Sequence, residues 1–168
     1  AQTPCSQDNP APVTNIIYTN PENTIGNPSV AFDLTVDAYT QFDLTTVTVK
    51  MATANMAALN PTGIVSVYTS SGDVPATELA SETITPTVVT EAPISTFAIY
   101  TVTFTFSTPV ELDNMAGATD ATFWVGFVMG NVDGGNTGVT GGSLIAGLPY
   151  ASINDTSGGW VLSTGCLD

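Results

Sequence analysis

The chain has 168 residues, fifteen acidic side chains against one basic one (Lys50), no histidine, and a formal net charge of −14. A domain of this length buries about 70% of its unfolded surface without help from a metal or a partner, and a hydrophobic content of 43% sets it apart from disordered chains. With one Lys and no Arg, nucleic acid and anionic membrane are excluded as partners, and phosphoryl transfer lacks its electrostatics.

In chain order, short β-rich runs alternate with turn clusters. "VTNIIY" (13–18) and "VAFDLTV" (30–36) come first. In "FDLTTVTVKM" (42–51) the apolar phase switches at Thr45–Thr46, from Phe42 and Leu44 to Val47, Val49 and Met51. That switch predicts a β-bulge which restores the inward face. "MATANMAALN" (51–60) has helix-forming composition without a sustained helical period. "GIVSVYT" (63–69) and "ELASETI" (78–84) are the next strands.

"FAIYTVTFTF" (97–106) alternates most clearly. Tyr100, Val102, Phe104 and Phe106 share one face and Thr101, Thr103 and Thr105 the other, so a half-buried strand with a hydroxylated outer face is expected. "ELDNMAG" (111–117) predicts one short turn. "ATFWVGFVM" (121–129) is apolar on both faces, which predicts a central strand covered on each side, with Trp124 in the core. "GSLIAG" (142–147) and "GGWVLS" (158–163) complete the series. The punctuation between runs ("NPEN", "IGNP", "NPTG", "SSGD", "NVDGG", "TSGG") is turn chemistry. The pattern predicts one all-β domain over 1–168, an antiparallel two-sheet β-sandwich of jelly-roll type.

The chemistry is sparse. Without histidine the commonest general base is missing, and Lys50, the one substitute, sits in a strand with no nucleophile motif. Paired carboxylates hydrolyse glycosides, and Glu78, Glu82, Glu91 and Glu111 flank strands, but nothing in the linear sequence pairs them. A noncatalytic protein is the expectation. Cys5 and Cys166 lie at opposite ends; in an oxidising compartment a disulfide between them closes a long ring, worth about 5 kcal/mol at most. No further Cys or His completes a zinc site. The opening "AQTPCSQ" reads as a mature end after signal cleavage, and no run reaches the length of a membrane span, which predicts a secreted or cell-surface protein.

The loop "GNVDGGNTG" (130–138) admits two readings. Calcium takes six to eight oxygens; Asn131, Asp133 and Asn136 offer three side chains, and glycines let carbonyls turn inward, with Asp113, Asp120 or Asp155 as further donors. Asp-Gly and Asn-containing Gly stretches are also the ordinary chemistry of hairpins, so a connector comes first and a calcium loop second, with no cofactor required. Trp160, Tyr150 and Tyr68 lie near strand ends, where a flat ring stacks against a sugar or packs against a sheet edge. Asn154-Asp155-Thr156 is a glycosylation sequon. Unpaired strand edges invite self-association.

"VSVYTSSGDVPATELASETI" (65–84) resembles a hairpin of accessory β-sandwich modules in large secreted bacterial proteins. "VELDNMAGATDATFWVGFVM" (110–129) is similar to the segment where such modules carry a Leu, a turn and an aromatic-Trp-Val strand, and with "FDLTTVTVKM" the resemblance spans about residues 30–130. "AQTPC" resembles the mature start of exported proteins of Bacteroidetes-type bacteria, many delivered by the type IX system; the sorting domain of such cargo does not follow "STGCLD", which implies its removal or a different route. The resemblance implies a noncatalytic outer-surface module for adhesion, assembly or carbohydrate contact, with an extracellular glycan or protein as partner.

Overall fold

The computed structural model describes residues 15–19, 30–54, 59–93, 97–130, 137–141, 151–154 and 160–163. These form eleven strands: β1 (Asn15–Thr19), β2 (Val30–Val36), β3 (Gln41–Ala54), β4 (Gly63–Ser71), β5 (Val74–Ile84), β6 (Thr87–Thr90), β7 (Phe97–Asp113), β8 (Ala121–Val128), β9 (Thr137–Gly141), β10 (Ala151–Asn154) and β11 (Trp160–Ser163). All pairings are antiparallel. Sheet I runs β1-β9-β3-β7-β6 and sheet II runs β11-β10-β2-β8-β4-β5. The expected all-β two-sheet antiparallel sandwich is the architecture. β2 pairs β8 and β3 pairs β7 in the nested manner of a jelly roll, but β4 and β5 stay together in one sheet, so this order does not establish the finer jelly-roll winding.

Period-two alternation builds the core. Sheet I contributes Leu44, Val49, Met51, Val102, Phe104, Phe106 and Leu112, and sheet II contributes Leu34, Val36, Val65, Val67, Ile84, Phe123, Val125 and Phe127. The rings of Phe104 and Phe127 meet across the sandwich with centroids 6.5 Å apart. On the outer face of sheet I the hydroxyls of Thr48 and Thr103 lie 3.0 Å apart, and the Thr101 hydroxyl donates to Glu91 Oε1 at 2.9 Å.

The phase switch at Thr45–Thr46 coincides with a break in register. Leu44 opposes Val110 and Thr46 opposes Thr105. Thr45 alone therefore faces the stretch 106–109 of β7, and the surplus chain lies on β7 rather than β3. The residues 51–54 of the helix-like stretch continue β3 as strand, and 55–58 lie outside the described residues. At the "SSGD" turn, Gly72 and Asp73 both have positive φ (61° each) and Ser71 opposes Val74, the two-residue type I′ hairpin that matches strand twist.

Two features of the layout matter for function. Only Thr85 and Pro86 separate β5, at the edge of sheet II, from β6, at the edge of sheet I, so one extended edge segment passes between sheets at a proline that offers no N–H. At the other end of sheet II, β11 lies against β5, so the sheet curls over its outer face. The strands β6, β9 and β10 were not expected from the sequence, and "GSLIAG" lies outside the described residues.

Candidate functional site

The curl of sheet II encloses a second cluster on the face turned away from the main core. Register places Asp33 opposite Trp124, Trp124 opposite Tyr68 and Tyr68 opposite Glu78, one row across β2, β8, β4 and β5. Trp124 is fully buried there with Ala31 and Tyr68, and half-buried Trp160 packs on them. β11 brings Trp160 edge-on to Tyr68, centroids 5.5 Å apart at 67°, an arrangement aromatic quadrupoles favour. The Trp124 Nε1–H donates to Ser70 Oγ at 3.1 Å, which satisfies its one polar atom.

Polar groups frame these rings. The hydroxyls of Ser66 and Ser81 lie 2.8 Å apart in the neighbouring row. Burial pushes the Tyr68 phenol above its ordinary range; a hydrogen bond with Ser66 pulls it down, while the charge of Glu78 and a hydrogen bond with it push it up. Burial also pushes the Asp33 carboxyl up, against a smaller opposing effect of a hydrogen bond to its own backbone. Folding therefore favours the protonated Asp33. Its contribution is fully present below the ordinary carboxylate range and is lost as pH rises through the folded value. Asp33→Asn is accordingly expected to raise the melting temperature at pH 7 and to leave it unchanged in acid, as thermal circular dichroism at both pH values would read.

No protein family matches the chain, and no curated protein or solved structure is similar to it. The functional reading rests on the side chains alone.

Of the residues named from sequence for sugar contact, the structure brings Tyr68 and Trp160 together, while Tyr150 lies outside the described residues. Asn131, Asp133 and Asn136 of the glycine-rich loop lie outside them too, as do Cys5 and Cys166. The two described acids named as extra calcium donors are engaged locally. Asp113 Oδ1 accepts from the Met115 N–H at 2.8 Å, and Asp120 Oδ1 accepts from the Ala38 N–H at 3.0 Å. Among the described residues no three His, Cys, Asp or Glu side chains converge as a metal cluster.

Of the four glutamates named from the sequence, two stand apart from the rest. Glu78 sits beside Tyr68, and Glu91 accepts from Thr101. Both oxygens of Glu82 face the Ser107 N–H, at 3.3 and 3.2 Å. Glu82 and Glu111 share a shallow groove of about 430 Å³ between β5 and β7, with Leu79, Phe106 and Pro109 among its walls. The sequence reading missed Asp33, Ser66 and Ser70. Alternation in "VAFDLTV" does set Asp33 on the phase opposite Phe32 and Leu34, so an acid on an outer face was visible, but its aromatic neighbours were not.

Proposed function

We propose that the protein is a noncatalytic interaction module of the cell exterior, acting in adhesion or surface assembly. The observation that carries this reading is how the carboxylates are used. Glu82, Asp113 and Asp120 accept from backbone N–H groups and Glu91 from a threonine hydroxyl, which builds a rigid scaffold rather than an acid–base pair. The acidic balance and a pair of cysteines at the chain ends support an extracellular setting.

A second reading, carbohydrate contact, is favoured by the Tyr68–Trp160 pair with Asp33 and Glu78 in the same row, because aromatic edges and carboxylates together read sugar C–H and O–H groups. One experiment addresses both. The protein is applied to a glycan array and, in parallel, incubated with soluble polysaccharides while reducing ends are measured. No release of reducing ends is expected. Glycan binding abolished by Trp160→Ala selects the carbohydrate reading; an array that stays blank selects a protein partner. Release of reducing ends that disappears in Glu82→Gln or Glu111→Gln overturns the noncatalytic reading.

A further inference from the structure

The edges of the sandwich are treated unequally. Proteins blunt free strand edges with charge, proline or irregular register, because a bare edge is a template for another strand. β7 becomes the edge of sheet I beyond the reach of β6, and there the chain uses all three devices: Glu82 occupies the Ser107 N–H, Pro109 offers no donor, and the register with β3 breaks. The edge strand β5 carries Glu78 and Glu82. β6 has none of these. Its four residues, Thr-Val-Val-Thr, are all exposed, with Val88 at 43% and Val89 at 53%, and no strand among the described residues pairs with its far side.

The hydrogen bonding of β6 decides what can add to it. The Glu91 N–H donates to Ile99 O at 2.8 Å, in line with the pairing of Thr87 with Thr103 and Thr90 with Tyr100. Backbone groups alternate sides along a strand, so Val89 and Thr87 turn toward β7 with Glu91, while Val88 and Thr90 present their N–H and C=O groups outward. In a twofold antiparallel pair of identical strands, opposed residues must point the same way, so the axis has to pass through a residue rather than between two. With Val89 on the axis, Val88 of each copy opposes Thr90 of the other, and every outward donor and acceptor of both strands is paired. With Val88 on the axis, Thr90 would face Pro86, which has no N–H. With Thr90 on the axis, Val88 would have to pair with Ala92, beyond the strand, so the Val89 register is the one that pairs every outward group of β6 within β6 itself.

We propose that β6 docks antiparallel on β6 of a second copy with Val89 on the twofold axis, which joins the two copies of sheet I into one continuous sheet. In that register Thr87 faces Glu91 of the second copy, the Val89 side chains meet in a closely spaced non-hydrogen-bonded pair, and Pro86 ends the ladder. The occupant is a second copy because the strand is uncharged and self-complementary, whereas a charged foreign strand gains nothing from Val89 or the threonines. The ladder is short, and each copy carries a formal charge of −14. The dimer is therefore weak and strengthened by salt, which screens the repulsion. On a crowded surface it would make a single-site adhesin bivalent, a step beyond the function proposed above.

Sedimentation velocity over a concentration series, at low and high salt, reads the association. A mass that rises with concentration, and more steeply in high salt, is expected. Val88→Pro removes an outward N–H and no bond to β7, and Val89→Lys opposes two like charges at the axis; both are expected to abolish the dimer while the melting curve stays cooperative. Val89→Cys should form an intermolecular disulfide that mass spectrometry maps to residue 89 in both chains, because side chains of a non-hydrogen-bonded pair lie within disulfide reach. Val88→Cys should not. A monomer at every concentration and salt overturns the proposal, and so does a dimer that survives both substitutions or cross-links equally through residue 88.

Discussion

Phe104→Ala is expected to cost about 4 kcal/mol of unfolding free energy, read as a drop in denaturant midpoint at unchanged slope. Phe104 is completely buried on β7 and reaches across the sandwich to Phe127, at 6.5 Å between centroids. Its ring also fills the space where another residue would put a side chain. A Cβ on Gly63 would lie 2.7 Å from Phe104 Cε1 and 3.1 Å from the Val128 carbonyl oxygen. The glycine that opens β4 is thus the complement of the phenylalanine. Gly63→Ala alone should destabilise by overpacking, typically about 1–3 kcal/mol, and the pair with Phe104→Leu should cost less than the two single changes added, since removing the ring gives the new methyl room. Strict additivity would mean that the two positions do not share this space.

The main core was legible because it is written locally. The Val102, Phe104, Phe106 alternation names its own inward face, and β8 announces two covered faces by carrying Phe123, Val125 and Phe127 on one side and Trp124 on the other. What covers Trp124 was not legible. Its neighbours Tyr68, Ala31 and Trp160 belong to three other strands, and Trp160 reaches it only because sheet II curls until β11 meets β5. No local period encodes that curl.

The bulge divides the same way. The phase switch in β3 marks its position, whereas the surplus residues of β7 follow from a pairing between strands far apart in sequence. β6 escaped notice for a different reason. The four exposed residues 87–90 that follow Pro86 show no alternation between buried and exposed, and only the ladder with β7 makes them a strand. In the candidate site, the aromatic residues stood out by type, while Asp33 mattered through the burial that Trp124 and its surroundings impose.

Asn114→Asp is expected to destabilise the fold by about 3 kcal/mol or more at neutral pH, with a deficit that shrinks in acid. Asn114 is 8% exposed, and its Nδ2 donates to the carbonyls of Val36 at 3.1 Å and of Asp37 and Thr119 at 3.0 Å each. Its backbone extends the same knot: the Asn114 N–H donates to Thr40 O, the Gly117 N–H to Asn114 O, and the Tyr39 N–H to Gly117 O. This side chain, with those backbone bonds and the Asp120 carboxylate on the Ala38 N–H, holds the β2–β3 and β7–β8 turns together. They include the left-handed backbone of Tyr39 at φ 58°. A Cβ on Gly117 would fall 1.8 Å from Asn114 Oδ1, so the asparagine fits only beside a glycine.

Aspartate has the same shape but turns an acceptor toward three carbonyl oxygens. Burial and those oxygens disfavour its anion, so the folded pKa of the introduced carboxyl lies above the unfolded one. The variant then loses stability as pH rises through the folded value and keeps more of it below the unfolded value, where a protonated carboxyl donates one of the missing bonds. Denaturant midpoints at acid and neutral pH should show the gap to the parent protein widening toward neutrality. Asn114→Ala, which cannot titrate, should show the same gap at both. A deficit for Asn114→Asp that does not change with pH would mean that the side chain escapes to solvent instead of staying among the three carbonyls.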